Sequence, residues 1–594
     1  MAINRSDTPL SVRTCDPAAA VAIEKAGYPS TLARVLAQRG VEVGDLGLAV
    51  TQMIPWETMK GAEKAAGILA DAIRDKKRIV IVADYDADGA TACAVGLRAL
   101  RAMGGIVDFV VPDRLTMGYG LTPEVVDLAC TKNPDLLVTV DNGIASIAGV
   151  AAANARGIPV IVTDHHLPGD ELPAAAAIVN PNQPGCEFES KALAGVGVMF
   201  YVMTALRHEM RVRGAFKSFE PNLGLLLDLV ALGTVADVVK LDRNNRLLVR
   251  EGLKRIAKGR CSPGVMALYE VSERNPEIAR SSDLGFSLGP RLNAAGRMEG
   301  MGQGILCLTT DDEKEALSLA RKLDALNRER RSVEEGMQEE ALDRISVPNM
   351  GARFSLVMYD ATWHPGVIGI VASRLKDRFY RPVITFAPGV NEDEIRGSGR
   401  SIPGFHLRDA LDWVTKRHPD LILKFGGHAA AAGLTILRKN LARFEEAFEE
   451  TAKAWLSPKD LAMTLEYDGD LSAREMTMDL AKAIRDEVWG QGFPEPVFGG
   501  HFKVEEQRVL GGKHLKLKLS RDGDVFDGIF FGQAEPIPGA AHLLFSLGIN
   551  EWRGRESLQL EVRHWSPSGD SGEDLLPAAK PSGKWTAGFN ELPF

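Results

Sequence analysis

Three short apolar runs in the first third of the chain each end on a carboxylate, and no other feature limits the fold as strongly. RIVIVA leads straight into DYDADGAT, which carries Asp84, Asp86 and Asp88. LLVTV leads into Asp141 of VDNGI, and PVIVT into Asp164, His165 and His166. Runs that are apolar throughout, with Ala-rich helical stretches between them, belong to strands buried on both faces. The segments 79–83, 135–140, 159–163 and 177–180 therefore predict a parallel sheet covered by helices, an α/β fold. Open sheets of this kind gather their ligands at the carboxyl edge of the strands. Acidic ends lying about 25 to 60 residues apart in sequence thus converge on one edge.

So much like charge at one edge is unfavourable unless a cation neutralises it. Asp237, in ALGTVADVVKL, follows another apolar run and closes the set. Taken alone, an Asp after a strand is ordinarily a helix N-cap. The adjacent His165 and His166 set this group apart. Mixed Asp and His ligands without thiolate favour Mn²⁺ or Mg²⁺, with imidazole tilting the choice towards Mn²⁺. Four or more carboxylates exceed the needs of one ion, so the pattern predicts two divalent cations sharing an Asp, an arrangement suited to phosphoryl-ester hydrolysis.

The 594 residues allow about three to five units at roughly 100 to 200 residues each. Residues 1–75 read as a helical N-terminal cover and 76–310 as the catalytic α/β domain with a helical extension. In 311–346, Leu319, Leu323, Leu326, Val333 and Met337 fall on one face of a long connecting helix. A smaller α/β domain follows over 347–458. Five short alternating strands over 459–565 match a small Greek-key barrel, and 566–594 form a Pro/Gly/Ser-rich flexible tail. A composition of 45% hydrophobic and 25% charged residues excludes a disordered or fibrous chain. No apolar run nears the ~20 residues of a membrane span. The opening MAINRSDTPL lacks an apolar signal region, and six scattered cysteines without a C-x-x-C read as reduced thiols, so the expected location is cytoplasmic. A net charge of −9 argues against a uniformly basic nucleic-acid coat and leaves room for a local groove.

Two further segments suit phosphate and DNA. RGSGRS sets Arg396, Ser398, Arg400 and Ser401 around two glycines, which predicts backbone N–H groups and an Arg fork facing an anion. HLKLKLSR alternates His514, Lys516 and Lys518 with three leucines, giving one barrel strand a basic face that fits single-stranded DNA or, more plainly, solvent. His428, after the glycines of FGGH, reads by itself as a packed turn histidine.

DYDADGAT, VDNGI, TDHH and LGTVADVV resemble, in order, the four motifs of the DHH phosphoesterases, whose name-giving triplet stands here as Asp164, His165 and His166. LAGVGV, LGPRLNAAGRM, WHPGVIGIVASRLKDRFYRPVI, RGSGRSIPGFHLRDAL, LKFGGHAAAAGL and WGQGFPEPVF are similar to stretches of the RecJ family of bacterial single-stranded-DNA exonucleases, and the resemblance spans about 30 to 565. It implies a parallel-sheet DHH domain, a smaller α/β DHH-associated domain joined by the long helix, and a C-terminal OB-fold barrel. It also implies degradation of single-stranded DNA from the 5′ end to nucleoside 5′-monophosphates with Mn²⁺ or Mg²⁺, in recombination and repair. Carried onto this sequence, the metal ligands are Asp84, Asp86, Asp141, His165 and Asp237, with Asp141 bridging. His166, Asp88 and His428 are the expected reacting or substrate-facing groups. Ser398 and Arg400 would hold a terminal 5′ phosphate; Arg291, Asn293 and Arg297 would line the strand, and Lys516 and Lys518 would track it on the barrel.

Val80 stands where small-molecule DHH pyrophosphatases have a His, four residues ahead of the Asp84/Asp86 pair, and this departure weakens a pyrophosphatase reading. A DHH phosphoesterase for short oligonucleotides or cyclic dinucleotides needs only the two α/β domains, so the barrel argues against it. A catalytically silent DNA-binding replication scaffold is disfavoured by the intact carboxylates. The implied partners are a single-stranded-DNA-binding protein and a helicase supplying the strand, around a monomer without membrane contact. The chain closes on GFNELPF, whose Pro593 and Phe594 resemble the tip of bacterial single-stranded-DNA-binding proteins; the ending reads either as a peptide that docks by its aromatic ring and carboxylate or, more plainly, as an incidental terminus.

Overall fold

The computed structural model describes residues 8–47, 49–113, 117–345, 353–552 and 554–567. The tail with Pro593 and Phe594 lies outside them. The chain divides into a larger unit, 49–457 with 490–492, and a smaller one made of 8–47, 458–489 and 493–567.

In the larger unit five strands form the predicted parallel sheet: β1 (Arg78–Ala83), β2 (Ile106–Val110), β3 (Leu136–Val140), β4 (Val160–Thr163) and β5 (Ala177–Val179), in the order β2-β1-β3-β4-β5. Val80, Val82, Leu137, Val160 and Val162 point to one face and pack with Val110, Leu121, Val125 and Val150. Each such side chain contributes about 1.5 to 3 kcal/mol on burial. Strand β2 escapes a sequence reading because it is an edge strand whose Asp108 reaches out to Lys132 at 3.0 Å. Helix α1 (Ala87–Ala102) begins within the first acidic cluster, with Asp88 in its first turn. Asp86 is its N-cap, accepting the N–H groups of Asp88 and Gly89. Helices α2 (Gly195–Val212) and α3 (Leu227–Ala236) pack against α1.

A π-helical turn, Leu284–Leu288, leads into α4 (Gly289–Met298). The connecting helix is α5 (Glu313–Arg344), capped by Asp312, with Leu323, Leu326 and Met337 buried. Its end joins the core of the second α/β domain, where Met337 and Ala341 meet Trp363, Val367, Val371 and Leu375. There β6 (Leu356–Tyr359), β7 (Val383–Pro388), β8 (Glu394–Arg400), β9 (Lys424–Gly427) and β10 (Ala431–Leu437) pair in the order β9-β10-β8-β7-β6, and helix α6 (Ile368–Phe379) packs on them.

The RGSGRS segment is β8 itself, paired on both sides, so its backbone N–H groups go into the sheet and not to an anion. Its glycines answer to packing: a Cβ on Gly397 would stand 2.6 Å from both Phe386 and Leu434. The side chains alternate with these glycines, leaving Arg396, Ser398 and Arg400 together on the less buried face.

The smaller unit holds a closed five-stranded barrel of β11 (Phe498–Leu510), β12 (His514–Arg521), β13 (Asp524–Phe530), β14 (Ala540–Trp552) and β15 (Arg555–Pro567), ordered β11-β12-β13-β15-β14. Residues Leu10–Val12 pair in parallel with Leu465–Tyr467, and Arg39 binds the fully buried Asp468 at 2.9 Å. The stretch expected to form one N-terminal cover is thus divided between the units. No helix among the described residues is long and apolar enough to cross a membrane.

Candidate metal centre

The strand ends place the acidic groups as the sheet order dictates. Asp84 follows β1, Asp141 follows β3 and Asp164 follows β4, three neighbouring strands. Asp141 adopts a left-handed backbone (φ 62°), turning the chain sharply after β3. Asp237 arrives differently, from the C-terminus of α3, where the helix dipole disfavours a carboxylate unless a cation lies near.

Three groups result whose ligand atoms lie within 4.8 Å of one another: Asp84, Asp86 and Asp141; Asp141, His165 and His166; and Asp88, His165 and Asp237. Asp141 and His165 each belong to two. His165 Nε2 stands 3.1 Å from Asp141 Oδ1 and 3.4 Å from Asp237 Oδ2, yet all three atoms are buried without a hydrogen bond. Buried acceptors and a ring nitrogen left unsatisfied around one point fit a divalent cation. The electrostatics agree. Burial, then the other carboxylates, drives Asp141 well above the usual range; burial and Asp86 push Asp237 up to about 8. Burial and the neighbouring His166 lower His165, leaving a neutral ring suited to ligation.

Asp88, expected among the reacting groups, anchors a helix. Its two oxygens accept the N–H groups of Gly195 (2.6 Å) and Val196 (2.8 Å) at the start of α2, with His165 Nε2 at 3.9 Å. Asp164 orients both histidines: Oδ1 accepts the N–H groups of His165 and His166 and lies 2.8 Å from His166 Nδ1, while Oδ2 accepts from Ile144. Burial works against charge on His166, but Asp164 outweighs it and raises the group to about 9. His428 approaches from the second domain, its ring stacked on His166 with centroids 6.5 Å apart, and burial lowers its pKa.

Other expected residues are engaged elsewhere. Arg291 binds Asp324 and the Ser287 carbonyl, Arg297 the Gly366 carbonyl, and Asn293 Oδ1 the Ala87 N–H. Arg400 Nη1 donates to Ser398 Oγ at 3.2 Å, keeping that pair together. Lys516 and Lys518 lie in the smaller unit, where burial lowers Lys516 and Lys518 pairs with Asp527 at 3.0 Å. Sequence reasoning assigned no role to Tyr119, whose Oη donates to the Asp141 carbonyl and lies 3.1 Å from His166 Nδ1. Nor did it single out Asn180 and Asn182, which donate to the carbonyls of His166 and His165. The signal was present: both asparagines follow β5, the next strand along the same edge.

The sequence model of the DHH family N-terminal domain matches residues 78–234, that of the DHHA1 domain 353–454, and that of the RecJ OB domain 467–564. Sheet, acidic edge and second α/β domain together define a DHH-type protein. The chain is 50% identical over 553 residues to proteins of Salmonella typhimurium and Escherichia coli named single-stranded-DNA-specific exonuclease RecJ, covering 90% of this chain and 96% of theirs. It belongs to the RecJ family. The crystal structure of RecJ with Mn²⁺ from Thermus thermophilus superposes with a TM-score of 0.79 at 29% identity, over 94% of this chain and 79% of that one. A second solved structure, exonuclease RecJ bound to manganese, gives a TM-score of 0.58 at 34% identity, over 68% of this chain and 96% of its own.

Proposed function

We propose that this protein is a metal-dependent exonuclease that degrades single-stranded DNA from its 5′ end to nucleoside 5′-monophosphates, in DNA recombination and repair. The observation that carries the reading is the set of three overlapping ligand groups at the sheet edge, sharing Asp141 and His165. Asp84, Asp86, Asp141, His165 and Asp237 would hold two Mn²⁺ or Mg²⁺ ions, with Asp141 common to both. When bound, such ions activate water and neutralise charge on the phosphate. Held charged by Asp164, His166 offers a positive group to the scissile phosphate, beside the exposed His428. Ser398 and Arg400, side by side on β8, suit a terminal 5′ phosphate, because a guanidinium fork matches its oxygens. The closed barrel, with its Lys-bearing strand β12, suits the strand downstream.

The same reading places the enzyme in the cytoplasm as a monomer, working with a helicase and a single-stranded-DNA-binding protein. The test is purified protein with Mn²⁺ or Mg²⁺ and single strands labelled at either end. Mononucleotide released first from the 5′ label supports the reading; release first from the 3′ label, or cleavage undiminished by EDTA, refutes it.

A further inference from the structure

Helix α4 grips the loop of Asp84 and Asp86 from two sides. The first turn of α1 leaves backbone N–H groups without helical partners. Asp86 Oδ1 takes those of Asp88 (2.9 Å) and Gly89 (3.0 Å), but Ala87 N–H remains, and Asn293 Oδ1 accepts it at 2.8 Å. About one turn further along α4, Gly296 lies against Tyr85, where a Cβ would stand 1.8 Å from the Tyr85 carbonyl oxygen. The two contacts fall on the residues immediately before and after Asp86. Helix α4 is itself fixed, through Arg291 to Asp324 of α5 and through Arg297 to the Gly366 carbonyl.

We propose that Asn293 is a positioning residue for the metal centre. By holding Ala87 N–H it keeps the Asp86 carboxylate on its cap and beside Asp84 and Asp141, which differs from lining the DNA strand. The proposal rests on reading Asp86 as a metal ligand.

The test uses the full chain and Mn²⁺ alone, with free and bound Mn²⁺ distinguished by electron paramagnetic resonance. Asn293→Leu keeps the branched heavy-atom shape and removes the acceptor. Its Mn²⁺ affinity should fall about 10- to 100-fold, as for lost partners of metal ligands. The KM for single-stranded DNA at saturating Mn²⁺ should stay within about twofold of the parent. Asn293→Asp, which retains the acceptor, should restore affinity to within about threefold of the parent. Gly296→Ala provides a second handle: it pushes the Tyr85 carbonyl from the other side without touching the hydrogen bond, and should also weaken Mn²⁺ binding. Parental Mn²⁺ affinity with a raised KM in Asn293→Leu would overturn the proposal and make Asn293 a DNA contact. So would Asn293→Asp as weak as Asn293→Leu, or parental affinity in a folded Gly296→Ala. Absence of Mn²⁺ binding by the unmodified protein would instead overturn the metal reading itself, and the proposal with it.

Discussion

Asp141 combines two unfavourable features, a left-handed backbone and a buried carboxylate among other carboxylates, and their separation makes a clean experiment. Replacement by Ala would confound them, since Ala tolerates positive φ less well than Asp or Asn. Asp141→Asn keeps the shape and the backbone preference and removes only the charge. It should fold and melt higher than the parent in EDTA, because repulsion around the site is relieved. It should also lose the Mn²⁺-induced rise in Tm and at least about a hundredfold in nuclease rate, no less than the loss of an outer partner of a metal ligand. A Mn²⁺-induced rise equal to the parent's would exclude Asp141 from the metal set. Strain of a related kind sits beside Asp237. Val238, the residue after it, has φ 60° although it is β-branched and largely exposed. A left-handed L-residue costs about 1 to 2 kcal/mol, and the added freedom of Gly in the unfolded chain returns about 0.5 to 1. Val238→Gly should therefore stabilise the protein by up to about 1.5 kcal/mol in a denaturant titration, and a lower midpoint would count against that backbone.

Elements formed by local pattern could be read from the sequence; those formed by distant partners could not. The strand ends at Asp84, Asp141 and Asp164 were legible because β1, β3 and β4 are buried on both faces and so are continuously apolar. Strand β8 was not, since glycine disfavours strands, and its two are there to admit distant side chains, Phe386 and Leu434 at Gly397 and Leu407 and Ile384 at Gly399. Asn293 was legible as a residue of interest but not as the partner of Ala87, 206 positions away. Leu10–Val12 is the extreme case, pairing with Leu465–Tyr467 at the far end of the chain. That union depends on Asp468, which receives Arg39 and Arg13 from the N-terminal segment and the Val497 N–H just ahead of the barrel. Desolvation depresses the Arg39 pKa, and Asp468 opposes the depression. Asp468→Ala leaves this guanidinium, only 2% exposed, without its counter-charge. The expected loss is about 3 to 5 kcal/mol from the smaller unit, seen as an earlier transition in chemical denaturation. A shift below about 1 kcal/mol would mean that the pair behaves like a solvent-screened one.

At the scale of the whole molecule, the two units divide the labour unequally. All three ligand groups, His428 and the Ser398/Arg400 pair lie in the larger unit, and the barrel with Lys516 and Lys518 lies in the smaller. Cutting the chain after residue 457 alone would leave Arg39 without its counter-charge and Leu10–Val12 without its partner strand, so loss of function there would confuse misfolding with lost DNA contacts. A fragment of residues 49–457 removes the smaller unit from both ends and gives up little within the larger one, chiefly the bond from Leu241 N–H to the Gln491 carbonyl. It should bind Mn²⁺ like the full chain and cleave strands of a few nucleotides at a comparable rate. Long strands should bind at least about tenfold more weakly, since each stacked base lost removes about 1 to 3 kcal/mol and about 1.4 kcal/mol is a tenfold change. Processivity should fall with affinity, because dissociation then competes with each cleavage. Single-turnover digestion of a long 5′-labelled strand, with excess unlabelled strand added as a trap, measures it. A folded 49–457 fragment that releases as many nucleotides per encounter as the full chain would remove the barrel from DNA holding and leave the larger unit to retain the strand alone.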